Sequence, residues 1–290
     1  MSSLCETDLV FCVGNAPHVP LLERLSPARA AGYAALSLLP YEYTRLRESG
    51  MSDTEIRQRI ADQGLAVGEL DGLAVWLPDH RPPASLPSEL ARLLADATPE
   101  RLVPIAAAVG ARSITVIEFF GRGVDDLDEA AESFARACDL AAEYGVLLHL
   151  EFLPWAGIPD LATAAEIVRR AGRPNGGLLV DSWHLYRSGS TLEELSAIPG
   201  DLVMAVQLDD APARPEPDLA DETEHRRLLP GEGSFDLVGL VRTLDEIGSR
   251  APLGVEVLSD ELARRPVDEI ARRTAEATRR VLAEARGGAG

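Results

Sequence analysis

Eight short apolar runs, separated almost from end to end by longer amphipathic stretches, constrain this chain more than any other feature. The runs are DLVFCV (8–13), AALSLL (34–39), LAVGEL (65–70), SITVIEF (113–119), VLLHLEF (146–152), GLLVD (177–181), LVMAVQL (202–208) and PLGVEVL (252–258). The stretches between them carry apolar residues at steps of three and four. In 128–145, Ala131, Phe134, Ala135, Cys138, Ala141 and Ala142 mark one helical stripe. In 267–285, Ile270, Ala271, Thr274, Ala277, Val281 and Leu282 do the same. Runs that are continuously apolar, rather than alternating, suit strands covered on both faces. Eight such strands, each followed by a helical stretch, predict an α/β fold of the (β/α)8 TIM-barrel type spanning 1–290 as a single domain. The alternative is an open doubly wound sheet. It would be expected to carry a Gly-rich turn after its first strand, and VGNAPHVP is not G-x-G-x-x-G.

Two connections are long. WLPDHRPPASLPSE (76–89) is proline-rich and follows the third run, and DDAPARPEPDLADETEHRRLLPGEG (209–233) follows the seventh. The second far exceeds the roughly two to six residues usual for such a turn. In a barrel both would sit at the C-terminal face, where active sites are built. Gly287 to Gly290 reads as a frayed tail.

Charge and composition narrow the chemistry. The net charge of −19 repels phosphate backbones and anionic lipid, so neither nucleic acid nor membrane is an expected partner. All 28 basic residues are arginine. The absence of lysine excludes a Schiff-base lysine, a pyridoxal aldimine and a P-loop lysine. Cys5, Cys12 and Cys138 show neither metal-ligand nor redox spacing. With no basic leader and no long apolar run at the start, they suit a soluble cytoplasmic protein. No run is long enough to span a bilayer.

The ends of the last four runs carry the chemistry. The fifth ends with Glu151, the sixth on Asp181, the seventh carries Gln207 and the eighth Glu256. A buried carboxylate costs several kcal/mol unless it is paired or metal-bound. Three converging on one rim would raise each other's pKa unless a cation is supplied. Arg187, Arg214, Arg226 and Arg227 are near in sequence, but four oxygen donors from neighbouring strands look more like a divalent-metal site. Oxygen ligands without thiolate or imidazole suit Mn²⁺ or Mg²⁺, with Co²⁺ as an alternative. Single readings are plainer. Asp209 and Asp210 read as loop or N-cap residues, His149 as a polar layer or a substrate contact, and Trp155 as a pocket wall or ordinary packing.

At these residues the chain resembles the sugar isomerase and epimerase superfamily with a xylose-isomerase-like barrel. The marks are LEFLP with Glu151, VDSWHLYRSG with Asp181 and His184, VQLDD with Gln207, and the PGEG-x-x-D segment followed by LGVEVLS with Glu256. The resemblance implies that Glu151, Asp181, Gln207 and Glu256 bind a divalent metal. It implies too that Glu151 and Glu256 serve as acid/base groups and that His184 holds a substrate oxygen. Many sugar epimerases of this group have histidine where this chain has Gln207, whereas metal-dependent 3-dehydroshikimate dehydratases resemble it in having glutamine.

The expected reaction is proton removal beside a metal-polarised carbonyl, giving an enediolate stabilised by His184. Arg187, Arg214, Arg226, His149 and Trp155 are the candidate substrate contacts. Reprotonation gives an isomerase or epimerase acting on a sugar or polyol-derived ketone. Expulsion of a β-substituent gives a lyase, the alternative. A metal-dependent endonuclease would want more histidines and a basic groove, and a non-catalytic partner subunit is a further class. The expected partner is a small-molecule substrate, with a homo-oligomer open because this fold often associates.

Overall fold

The computed structural model describes residues 4–78, 80–83, 88–124 and 126–287. Eight parallel strands close into one barrel: β1 (Leu9–Phe11), β2 (Ala35–Leu38), β3 (Ala66–Leu73), β4 (Ser113–Ile117), β5 (Leu147–Glu151), β6 (Gly176–Asp181), β7 (Val203–Leu208) and β8 (Leu253–Val255). Each apolar run of the sequence coincides with one of them, β6 starting one residue before its run. β3 is longer than its run, because it continues through Asp71 to Leu73.

Neighbouring residues in register on parallel strands share a face. Asp71 pairs with Thr115, Thr115 with His149, Ile117 with Glu151 and Asp181 with Gln207. Residues of the alternate set, such as Leu70, Ile114, Leu150 and Val180, are fully buried in the apolar core. The runs therefore read as continuously apolar because outward side chains meet helices while inward ones fill the barrel. Polar inward residues interrupt this filling only at particular heights. Gly254 is level with Gln207, and a Cβ there would come within 2.9 Å of Gln207 Cγ, so the missing side chain makes room for the amide.

The two helical stripes are formed as predicted, with differences at their ends. In the helix Leu127–Ala142, capped by Asp126, residues Ala131, Phe134, Ala135, Cys138 and Ala141 are buried while Ala142 is exposed. The last helix, Val267–Gly287, packs against Leu21–Ala30 and Leu237–Glu246 and buries Ile270, Ala271, Thr274, Ala277 and Val281; Leu282 is half-buried. Gly287 ends this helix, and the rest of the Gly-rich tail lies outside the described residues. So do residues 79 and 84–87 of the proline-rich connection. No helix among the described residues is long and apolar enough to cross a membrane.

The long connection after β7 is organised rather than open. Asp210 bridges antiparallel to Leu228, a short helix runs from Leu219 to His225, and Arg226 bridges Ser259 beyond β8. Asp210 holds its return. Its carboxylate accepts the N–H groups of Ala211 (2.8 Å), Gly231 (3.0 Å) and Phe235 (3.0 Å). A Cβ on Gly233 would run into Asp210 Oδ1 and the Ala211 carbonyl, which is why the PGEG segment has no side chain there. Asp210 is thus a loop-closing residue, as its place in the sequence suggests.

Candidate active site

A cavity of about 260 Å³ opens at the C-terminal end of the barrel. Asp71, Glu151, His184, Glu224, Arg227 and Glu256 give it an ionisable lining, while Ile117, Phe119, Leu153, Trp155 and Leu258 give it apolar walls. Glu151 ends β5, Asp181 ends β6, and Glu256 follows β8.

Asp181 does two structural jobs. As N-cap of the short helix Ser182–Arg187 its Oδ1 accepts the His184 N–H at 2.9 Å, which places the imidazole one turn above the strand end. Its Oδ2 accepts from Arg227 Nη1 at 2.9 Å. The same Nη1 donates to Asp209 and lies 3.8 Å from Glu256 Oε2. Thr223 holds the other face of the guanidinium, its Oγ1 accepting from Nη2 at 2.7 Å. Asp209 is also fixed by Ser182 Oγ, 2.6 Å from its Oδ1. Asp209, just past β7 at the start of the long connection, is a loop residue as its sequence position suggests, and it is buried in the cluster as a partner of Arg227.

One ligand-type atom each from Glu151, Asp181 and His184 lies within 4.8 Å of the others. His184 Nε2 is 3.4 Å from Glu151 Oε1 and 3.3 Å from Arg227 Nη2. A guanidinium can only donate, so in this geometry Nε2 accepts and the ring hydrogen falls on Nδ1, which is buried without a partner. Burial, with the Arg227 charge adding to it against Asp181, pushes the His184 pKa down to about 3, so the ring is neutral. Trp155 packs on it with ring centroids 5.5 Å apart. The turn that carries Trp155 is pinned because Gly157 N–H donates to Glu118.

Electrostatic balance in the site is poor. Leaving aside the exposed Glu224, Asp71, Glu151, Asp181, Asp209 and Glu256 are five carboxylates around the single guanidinium of Arg227, a formal −4 if all are ionised. Burial first, and then Asp181 and Glu256, raise the Glu151 pKa well above the ordinary range. Burial also raises Glu256 and Asp209. Burial disfavours the charge of Arg227, but Asp181, Asp209, Glu256 and Glu151 outweigh it and hold the guanidinium firmly protonated. Burial lifts Asp71 to about 6.

These observations fit a divalent cation. It would reduce the formal −4 to −2, and the three-residue cluster supplies suitable donors. Gln207, level with Asp181, donates from Nε2 to Glu69 Oε1 at 3.3 Å, while its Oε1 is buried with no donor. Of the four residues marked by the sequence, the cluster takes in Glu151 and Asp181 and adds His184, while Glu256 lies 3.8 Å from Arg227 and Gln207 is level with Asp181. An imidazole in the set widens the choice of ion beyond Mn²⁺ and Mg²⁺ to Zn²⁺ and Co²⁺.

Most of the candidate substrate contacts are elsewhere. Arg187 Nε donates to Glu222 Oε1 at 2.7 Å and Nη2 to the Pro212 carbonyl at 2.7 Å, with the guanidinium 5.1 Å over the Phe235 ring. Because Glu222 satisfies its charge, Arg187 does not line the cavity. It holds the helix Leu219–His225, from which Thr223 reaches the site. Arg214 is exposed on the loop, and Arg226, also exposed, pairs with Asp221 at 2.7 Å. His149 lies one layer below Glu151, fully buried, its Nε2 3.0 Å from Ser113 Oγ and 3.6 Å from Glu69 Oε2. Burial holds its pKa down to about 3. Of that group only Trp155 lines the cavity. Sequence reasoning missed Asp71, because Asp-Gly after an apolar run reads as a turn. Arg227 was visible only as one of four nearby arginines.

A closed barrel with an ionisable cluster over the ends of its strands is the arrangement of a TIM-barrel enzyme. A family model described as xylose isomerase-like TIM barrel matches residues 25–281, and the chain belongs to that family. It is 32% identical over 157 residues to an inosose isomerase of Bacillus velezensis, covering 53% of this chain and 55% of that one. It is 28% identical over 250 residues to a 3-dehydroshikimate dehydratase of Pseudomonas aeruginosa, covering 85% of this chain and 37% of that one. The matches thus span about half and about a third of those relatives' own lengths. Among solved structures, the IOLI protein with a bound zinc atom superimposes with a TM-score of 0.82 at 20% identity, covering 96% of this chain and 98% of that one. An L-ribulose 3-epimerase gives 0.72 at 17% identity, covering 99% and 97%. Both share the fold.

Proposed function

We propose that this chain is a divalent-metal-dependent isomerase or epimerase of a neutral polyhydroxy ketone, working through an enediolate. The observation that carries the reading is the charge of the cavity. Asp71, Glu151 and Glu256 line it, and Arg227, the cation among the described lining residues, is committed to Asp181 and Asp209. Apart from the ion itself, a substrate carboxylate or phosphate would find no free positive partner there and would face the carboxyl groups of Asp71, Glu151 and Glu256. A polyol meets acceptors for its hydroxyls and an apolar wall for its C–H face.

Glu151, Asp181 and His184 would hold the ion, with Gln207 and Glu256 as further oxygen donors. When bound it would supply Lewis-acid withdrawal of electron density from the substrate carbonyl. The fold relatives with zinc and with epimerase activity support this assignment. Mn²⁺ or Mg²⁺ remains the proposed ion, with Zn²⁺ and Co²⁺ admitted by His184.

The chain's own groups then divide the work. Glu151 and Glu256 sit three strands apart around the rim, so one can take a proton from carbon and the other return it from a different side. Burial raises the pKa of both carboxyl groups, the direction a proton carrier needs. Neutral His184 keeps a lone pair on Nε2 to offer the ion, and Trp155, packed on its ring, excludes water from that side. The second reading, elimination on the same enolate, draws support from the long alignment with the dehydratase. It requires the cavity to accept a carboxylate. The net charge of −19 supports a small-molecule role over nucleic acid or membrane binding, and we place the protein in the cytoplasm.

The experiment is incubation of Mn²⁺-loaded protein in D2O with a keto-inositol, candidate ketoses and 3-dehydroshikimate, followed by NMR. Deuterium incorporation into a polyol ketone without loss of water supports the proposal. Conversion of dehydroshikimate to a conjugated product, with no exchange into any polyol, overturns it in favour of the lyase.

A further inference from the structure

Leaving aside the exposed Glu224, which faces His225 at 3.8 Å, Asp71 is the carboxylate of the cavity to which neither the metal cluster nor Arg227 assigns a task. Each of the others has a neighbour: Asp181 and Asp209 have Arg227, Glu256 faces Arg227 at 3.8 Å, and Glu151 faces His184 at 3.4 Å. No described residue makes a hydrogen bond or ion pair to Asp71, although its side chain is half-buried and lines the cavity. Leu39, Ile117 and Phe119, which line the same cavity, have no side-chain donor to offer. A carboxylate has about four acceptor sites and is costly to leave unsatisfied when partly desolvated. Its donors must come from whatever fills the cavity.

We propose that Asp71 is a specificity-determining residue whose carboxylate accepts hydrogen bonds from hydroxyl groups of a neutral, cyclic polyhydroxylated substrate. Its place in the ring supports this. Asp71 is on β3, Glu151 on β5 and Glu256 just after β8, so the three carboxyl groups are separated by two, three and three strand steps around the closed barrel. A ring-shaped ligand at the centre presents hydroxyls in all three directions. An anionic ligand would place its charge against Asp71. The assignment rests on the polyol reading of the cavity.

The test is calorimetric titration of wild type, Asp71→Asn and Asp71→Ala, each with and without Mn²⁺, using a keto-inositol and 3-dehydroshikimate, alongside Mn²⁺ stoichiometry. Asn keeps one acceptor and the side-chain shape, and Ala removes both. Loss of a charged hydrogen bond should weaken keto-inositol binding about 10-fold in the Asn variant and up to roughly 100-fold in the Ala variant. Mn²⁺ stoichiometry should be unchanged, and 3-dehydroshikimate should bind equally or more tightly. Equal keto-inositol affinity in all three proteins overturns the proposal. Lost Mn²⁺ overturns it by making Asp71 a cation ligand, and equal weakening of both ligands does so by making it structural. Failure of wild type to bind the keto-inositol at all sinks the polyol reading itself, and Asp71's role with it.

Discussion

Arg227 Nη1 lies 2.9 Å from Asp181 Oδ2, so the strand-end carboxylate that reads in sequence as a metal ligand is also an ion-pair partner. The guanidinium comes from the long connection after β7 and reaches across to Asp209 and Glu256 as well. One positive charge does not balance this rim, and a cavity of about 260 Å³ remains beside it. Brace and cation are therefore complementary. Arg227 fixes the geometry of one half of the cluster, and the other half keeps the donors for an ion.

Removing that brace should be expensive. Arg227→Met leaves Asp181 and Asp209 buried without their cation, and breaking a buried pair in this way costs about 3–5 kcal/mol. Urea unfolding of metal-free protein at pH 7 should show a loss of that order. Part of it should return when the pH is lowered enough to protonate the carboxylates. A loss below about 1 kcal/mol would mean that Arg227 is not the brace.

Glu69, in the layer beneath the cavity, predicts a pH dependence. Burial, and then Asp71, lift its pKa from 4.5 to about 7. The folded state therefore holds a proton that the unfolded chain has released over that interval. Its contribution to stability is fully present below pH 4.5 and is lost as pH rises to about 7. At about 1.4 kcal/mol per pH unit the loss approaches about 3 kcal/mol. In Glu69→Gln this contribution is absent. The stability of wild type relative to the variant, from denaturant unfolding of metal-free protein, should fall between pH 4.5 and 7 and level off above. A flat difference would contradict the assignment.

Gly233 gives a prediction about the return of the long connection. Gly233→Ala drives a methyl group into Asp210, whose carboxylate holds three backbone N–H groups. Overpacking of this kind costs about 1–3 kcal/mol. A lowered Tm should accompany faster proteolysis within 209–235, read by mass spectrometry of the fragments. Unchanged cleavage would show that the Asp210 cradle does not hold the loop.

The barrel was legible in the sequence because its cause is local. Strands buried on both faces must be continuously apolar, and the helices between them must show stripes, so each of the eight strands falls on one run, with only β3 and β6 reaching past its ends. Glu151, Asp181 and Glu256 were legible for the opposite reason, as polar interruptions where burial should forbid them. Asp71 was hidden because an Asp-Gly pair reads as a turn, whereas β3 runs on through it to Leu73. Arg187, Arg214, Arg226 and Arg227 share one neighbourhood in the chain, and only folding decides which enters the cavity. Glu222 captures Arg187, Asp221 captures Arg226, and Arg227 alone turns inward.

The central claim is that side chains from neighbouring strand ends hold one divalent ion. Its most direct test is the metal content of Mn²⁺-loaded wild type against Glu151→Gln and Asp181→Asn, measured by mass spectrometry after removal of free ion. The account predicts close to one Mn²⁺ per chain in wild type and a large loss in both variants. Wild type that retains no ion, or variants that retain as much as wild type, would contradict it.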